Sequence, residues 1–202
     1  MGLGAVLVLA ALSLFLFNQK TDRQAGQSAA EILPQMVAQI QADAQQPTRP
    51  VRPARPEQMP TQPTYPDPFD TTMTEVEIEG YAYIGYLSIP SLDLELPVMS
   101  QWDQERLKIA PCRYTGSTKT DDLIICAHNY DHHFWPIRSL SPGDEVYFTD
   151  MDGKVWQYAV DTVEILAPTD VSEMTASDYE LTLFTCTYGG GSRITVRCNR
   201  NQ

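Results

Sequence analysis

Basic residues are scarce in this 202-residue chain: 14 Lys and Arg stand against 26 Asp and Glu, for a formal charge of −12. The shortage is local. Residues 1–68 are balanced at five basic and five acidic, whereas residues 69–202 carry nine basic against twenty-one acidic. An acidic domain lacks the Lys and Arg needed to neutralise phosphates, which excludes nucleic acid as a partner. Cysteine is sparse as well. Cys112, Cys126, Cys186 and Cys198 include no C-x-x-C pair, so the short ligand spacings of zinc sites are absent and no metal site is expected. Four cysteines allow two disulfides in three connectivities, but about 130 residues bury an adequate core without them.

Long apolar runs are missing too, with one exception at residues 2–17 (GLGAVLVLAALSLFLF). Sixteen residues lie at the short edge of a membrane span, which needs roughly 17 to 25. No small-x-small cleavage site directly follows, which favours an uncleaved anchor over residues 1–19 against a cleaved signal peptide. Lys20 and Arg23 follow the run and nothing basic precedes it, so charge alone would put the remainder inside.

Residues 20–46 read as a juxtamembrane helix, with Ile32, Met36 and Ile40 spaced four apart. Pro34 would suit the first turn of such a helix better than its interior. Residues 47–75 form a Pro-rich linker. Its prolines recur mostly every third residue from Pro47 to Pro68, the period of polyproline II, and the stretch reaches on the order of 70 Å. Arg49, Arg52 and Arg55 share that period and make a basic edge on a solvated spacer, or a handle for an anionic wall polymer.

From residue 76 to 202 the texture is one of short β-rich runs, at 81–89, 92–98, 122–128, 145–149, 154–166, 181–186 and 193–198. Asp152-Gly153 between two of them is a hairpin signal. Helical patterns are few and short: residues 100–110 and 169–174. Seven or eight strands without long helices imply a mostly β fold, a sandwich or a small closed barrel.

The run LTLFTC alternates so that Thr182, Phe184 and Cys186 share one face. Cys186 ends the run, glycines follow, and Arg193 opens the next. A thiol needs a base or a cation nearby to act as a nucleophile near neutral pH. His128, at the end of DLIICAH, is the matching partner; His132 and His133 in NYDHHF compete with it. Arg193 stays protonated and can offer paired N–H donors to an oxyanion. The plain alternative is an inert core thiol, since free cysteine is among the most buried residue types. Cys126, two residues before His128 on the same face, is a further candidate nucleophile.

These residues resemble the sortases, the cysteine transpeptidases of Gram-positive surfaces. Thr182-Leu183-Phe184-Thr185-Cys186 fits their Thr-Leu-x-Thr-Cys signature. The strand ending Ala127-His128-Asn129 is similar to their Gly-His-Asn or Gly-His-Arg strand, with alanine for glycine. Leu140-Ser141-Pro142-Gly143-Asp144 resembles their Leu-x-x-Gly-Asp segment, and Arg193-Ile194-Thr195-Val196-Arg197 their arginine strand. The resemblance runs from about residue 80 to the C-terminus, nearer to class B-like or D-like members than to pilin-type ones.

It implies a closed eight-stranded β-barrel with a few short helices, behind a membrane anchor and spacer. It also implies Cys186 as nucleophile, His128 as general acid and base, Arg193 as oxyanion stabiliser, and Thr185 and Asn129 in substrate binding. The substrates would be surface proteins or pilins with a Leu-Pro-x-Thr-Gly-like sorting signal. The acceptor would be an amine of peptidoglycan or a pilin lysine, and the catalytic domain would sit outside the cell membrane. No cofactor is implied, and calcium dependence is left open by acidic residues spread throughout. The Cys186–Arg193 spacing of seven is short for the family, which brings Arg197 into consideration; Arg193 holds the motif position. Asp67-Pro68-Phe69 matches an Asp-Pro-aromatic lid, yet also continues the proline rhythm. A noncatalytic β-domain binding wall polymer and a hydrolysis-only cysteine peptidase are the rival readings. With ordinary pKa values near 8.5 and 6.5, at pH 7 roughly 3% of the thiol is thiolate and about a quarter of the imidazole is charged, so slow turnover is expected.

Overall fold

The computed structural model describes residues 2–45, 71–175 and 178–201. The Pro-rich stretch with Arg49, Arg52 and Arg55, and the triplet Asp67-Pro68-Phe69, lie outside the described residues. Nine strands form one sheet: β1 (Val76–Ile78), β2 (Tyr81–Ile89), β3 (Leu94–Met99), β4 (Cys112–Thr115), β5 (Leu123–Cys126), β6 (Glu145–Asp150), β7 (Val155–Leu166), β8 (Leu181–Cys186) and β9 (Arg193–Arg200). Their order is β1-β2-β3-β4-β5-β8-β9-β7-β6, and β6 pairs back onto β2. Strands β2 to β9 therefore close the expected eight-stranded barrel, with β1 as a short hairpin arm on β2.

Closure depends on one backbone position. Gly85 sits at a register shift where β2 must pair with both β3 and β6. Its φ is 148°, and a Cβ there would lie 2.1 Å from the Thr149 carbonyl oxygen. Only glycine lets the two strands approach so closely. The β6–β7 hairpin turns at Asp152-Gly153 as its sequence requires. The Asp150 carboxylate staples it, accepting from the Asp152 and Lys154 amides and, at 2.8 Å, from the Trp156 indole.

Alternation sorts the side chains. Leu123, Ile125, Leu181, Leu183, Ile194 and Val196 point into the barrel, where they join Phe148 and Tyr158 in one buried cluster. A second cluster lies on the outside, where Ile78, Tyr83, Met99, Cys112 and Cys126 are covered by Ile32 and Met36. These last two belong to α1 (Gly2–Gln45), a single helix running through both the apolar run and the segment expected as a separate juxtamembrane helix. Pro34 lies inside it, contrary to its first-turn preference. The ring faces solvent, and the buried Ala29, Ile32 and Met36 on either side hold the helix together across the missing hydrogen bond.

Among the described residues no helix is long and apolar enough to cross a membrane, so the expected span over residues 1–19 is not supported. Sixteen residues of helix measure about 24 Å against a hydrocarbon core of about 30 Å. The stretch is nonetheless exposed, with Val6, Leu9, Leu12, Phe15 and Phe17 all more than half accessible.

The two short helical segments fare differently. α2 (Val171–Thr175) forms near its expected place. Residues 100–110 hold only a single 3-10 turn, Arg106–Lys108, opened by Asp103, whose Oδ1 accepts from the Glu105 and Arg106 amides.

Candidate active site

Strands β5, β8 and β9 are neighbours, and their register assembles the site. β5 and β8 run parallel with Cys126 beside Phe184, and a ladder bond continues past them from the Ala127 amide to the Phe184 carbonyl at 3.2 Å. By the same register, His128, two residues past Cys126 and just beyond β5, and Cys186, the last residue of β8, fall at neighbouring positions on the outer face. On the other flank β8 and β9 are antiparallel, and Cys186 stands directly opposite Arg193. His128, Cys186 and Arg193 thus form a row across three adjacent strands at one end of the barrel. The two strand ends are cross-tied: Thr185 Oγ1 donates to the Ala127 carbonyl at 2.8 Å, and Asn129 Nδ2 donates to the Thr187 carbonyl at 3.4 Å.

The environment of each group differs. His128 is half-buried, and burial first, then the Lys108 ammonium, holds its pKa below the ordinary imidazole value. Cys186 is partly exposed, whereas the other three cysteines are buried, and all four are free thiols. Burial pushes the Cys112 and Cys198 thiols up to about 12 and raises Cys126 as well, which removes Cys126 as a rival nucleophile.

The two arginines also separate. Arg193 Nη1 donates to the Gly190 and Ser192 carbonyls, both at 3.2 Å, in the turn joining β8 to β9. Arg197 is 2% exposed and anchored by the Glu164 carboxylate, the Met174 and Glu173 carbonyls and Thr182 Oγ1. Its guanidinium fastens β9 to β7, β8 and α2, well back from the strand end.

The two other histidines do not join Cys186. His132 is exposed and bound to α1: Asp22 accepts from its backbone N–H at 3.1 Å and meets Nδ1 at 3.0 Å. His133 is fully buried, with neither ring nitrogen partnered among the described residues. Burial and the neighbouring His128 bring its pKa down to about 4, although the Ile109 backbone and Asp22 oppose the shift.

A depressed histidine binds its proton more weakly in the fold than when unfolded, so its contribution is full above about pH 6.5 and is lost as pH falls towards 4. The folded chain is expected to lose roughly 2 to 3 kcal/mol between pH 7.5 and 4.5 through this group. Urea denaturation at the two pH values, beside His133→Phe, checks it. A difference between the proteins that does not change with pH would refute it.

Tyr130 was not foreseen as a site residue. Its ring lies 4.9 Å from that of His128 and 5.4 Å from that of His133. The loop winds back on itself to place it, with the Phe134 amide bonded to the His128 carbonyl and the His133 and Trp135 amides to the Tyr130 carbonyl. An aromatic two residues after a strand-terminal histidine was the available signal.

Relatives carry the same architecture. The sequence profile of the Sortase domain matches residues 87–201. The chain is 33% identical over 110 residues to sortase A of Bacillus anthracis, covering 51% of each, and 28% identical over 116 residues to sortase A of Listeria monocytogenes, covering 52% of this chain and 50% of that one. It spans about half the length of these curated relatives. Among solved structures, sortase C of Clostridium perfringens SM101 superposes with a TM-score of 0.52 at 25% identity, covering 64% of this chain and 73% of that one. Sortase A of Corynebacterium diphtheriae gives 0.55 at 24% identity over 60% and 62%. The profile match takes in β5, β8 and β9 with the whole row of His128, Cys186 and Arg193, and on it the chain belongs to the sortase family.

Proposed function

We propose that the chain is a cysteine transpeptidase that cleaves a Leu-Pro-x-Thr-Gly-like sorting signal between Thr and Gly. The observation that carries this reading is the row of His128, Cys186 and Arg193 on one face of three paired strands. A similar structure of Clostridium perfringens sortase C is described as holding the C-terminal cell wall sorting motif, which supports the substrate class.

The chemistry follows from the placement. The Cys186 thiolate adds to the Thr carbonyl carbon, and the oxygen gains the charge that the Arg193 guanidinium beside it stabilises. Arg193 would exchange its turn carbonyls for the oxyanion. His128, as imidazolium, gives its proton to the leaving Gly nitrogen, the C–N bond breaks, and a thioester on Cys186 remains. An amine then attacks the thioester with His128 as base. Thr185 and Asn129, tied across the two strand ends, shape the floor on which the signal lies. The exposed apolar half of α1 would hold the enzyme at the outer membrane interface, within reach of surface proteins and wall amines. No metal enters these steps.

The test is intact-mass spectrometry of the chain incubated with Leu-Pro-x-Thr-Gly peptide libraries, with and without amine. The expected result is an adduct of the peptide's N-terminal fragment that is absent in Cys186→Ala and disappears when amine is added. An adduct released equally fast by water alone would make the chain a peptidase. No adduct with any library, together with unaltered surface phenotype in Cys186→Ala, would make it a binding domain.

A further inference from the structure

One face of α1 changes character along its length. Ala25, Ala29, Ile32 and Met36 are buried against the barrel. Followed towards the N-terminus by steps of three and four, the same face continues as Asp22, Gln19, Asn18 and Phe15. Here the helix stands off, and a cleft of about 590 Å3 opens between it and the loops that follow β5 and β8. That volume falls within the range of small-molecule sites.

The opposite wall belongs to the catalytic strands. Asn129 follows His128, Tyr130 lies against the His128 ring, and Tyr188 and Gly189 come two and three residues after Cys186. A larger cleft of about 690 Å3, between α1 and the β2–β3 turn, contains neither strand end. The chemistry of the smaller one is one-sided. It is lined by the Asp131 carboxylate, by Asp22, whose carboxylate is held by His132, by side-chain amides and by aromatic rings, and by no Lys or Arg. Carboxylates and ring faces both favour a compact cation.

Resting on the transpeptidase reading, we infer that this cleft is the acceptor site and that α1 supplies one of its walls, holding a primary ammonium group next to the thioester. The ammonium loses one proton to solvent on leaving the Asp131 carboxylate. Its lone pair then adds to the thioester carbonyl, the nitrogen gives a second proton to neutral His128, and the carbon–sulfur bond breaks. An amide forms and Cys186 departs as thiolate beside an imidazolium, the pair that opens the next cycle. The lowered His128 pKa suits this half of the reaction, since a neutral imidazole is needed as base.

Two readouts on the full chain test the site. The first is binding of n-butylamine to the Cys186→Ala chain by saturation-transfer NMR, with n-butanol as the uncharged match. The second is the amine concentration that half-saturates capture of the acyl-enzyme. Butylamine is expected to bind and butanol not. Asp131→Asn and Tyr188→Ala, at a charged and an 88% exposed position, are expected to weaken both binding and half-saturation about tenfold, the size of one charge contact in a partly wet cleft. Equal binding of amine and alcohol, or unchanged constants in both variants, would overturn the assignment. Weakened binding without any acyl-enzyme would keep the cation site and reject the transpeptidase.

Discussion

Arg197→Met is expected to destabilise the fold by about 3 kcal/mol or more, while Arg193→Met leaves stability nearly unchanged and lowers kcat/KM on a signal peptide by about 10²–10³-fold. The two arginines lie four residues apart on one face of β9, and their surroundings set these opposite outcomes. Methionine at 197 keeps much of the buried volume but removes the bonds to Glu164, Glu173, Met174 and Thr182. Glu164 is exposed enough to turn to water, but the Met174 carbonyl and Thr182 hydroxyl beneath it cannot, and each carries a desolvation cost. Arg193 gives up only two carbonyl bonds in a solvent-facing turn. On the proposed mechanism, what it loses is the donor opposite Cys186 that would meet the charge on the carbonyl oxygen. Urea denaturation and steady-state kinetics on both variants separate the roles. If Arg193→Met unfolds and Arg197→Met folds but is inactive, the assignment is reversed.

His128→Gln is expected to reduce kcat/KM by about 10³-fold or more, because in the proposed mechanism the same ring donates a proton in one half-reaction and accepts one in the other. The pH profile carries a signed companion result. Burial and Lys108 lower the His128 pKa, so the imidazolium needed to protonate the leaving amine is scarcer than in a free histidine. Removing the ammonium with Lys108→Gln raises that pKa, which moves the acid limb of kcat/KM to higher pH and increases the productive fraction. Glu105 already pairs with Lys108 at 2.7 Å, so the movement is small. Movement of the acid limb to lower pH in this variant would contradict the effect of Lys108 on His128, and a lower plateau would contradict the imidazolium requirement.

Much of the catalytic sheet could be read from the chain because alternation there is strong. Residues 81–89 and 181–186 coincide with β2 and β8; β8 is buried along one entire face, and β2 at Tyr83, Ile84, Gly85, Leu87 and Ile89. β4 and β1 escaped notice. Cys112–Thr115 is four residues between Pro111 and Gly116, too short for a period to register, and β1 is shorter still. The row of His128, Cys186 and Arg193 was legible because each residue terminates or opens an apolar run. The part played by α1 was not. Its apolar first half dominates any reading of composition; the spacing of Ile32, Met36 and Ile40 marks a buried face but not what covers it, and the Asp22–His132 contact joins residues 110 positions apart, which no local pattern encodes. Tyr130 was passed over for the same reason, being placed by loop hydrogen bonds rather than by strand period.

The parallel pairing of β5 with β8 also bears on when the enzyme comes into being. Parallel neighbours cannot be joined by a tight turn, and here the whole β6–β7 hairpin and α2 intervene. His128 and Cys186 therefore meet only through a contact of long sequence separation, the kind that forms slowly and late. Until that crossover is complete, a half-folded chain holds a thiol without a base and an arginine without a target. On the transpeptidase reading, a copy that has not yet paired β5 with β8 lacks the assembled row and is expected to be inert towards the proteins around it.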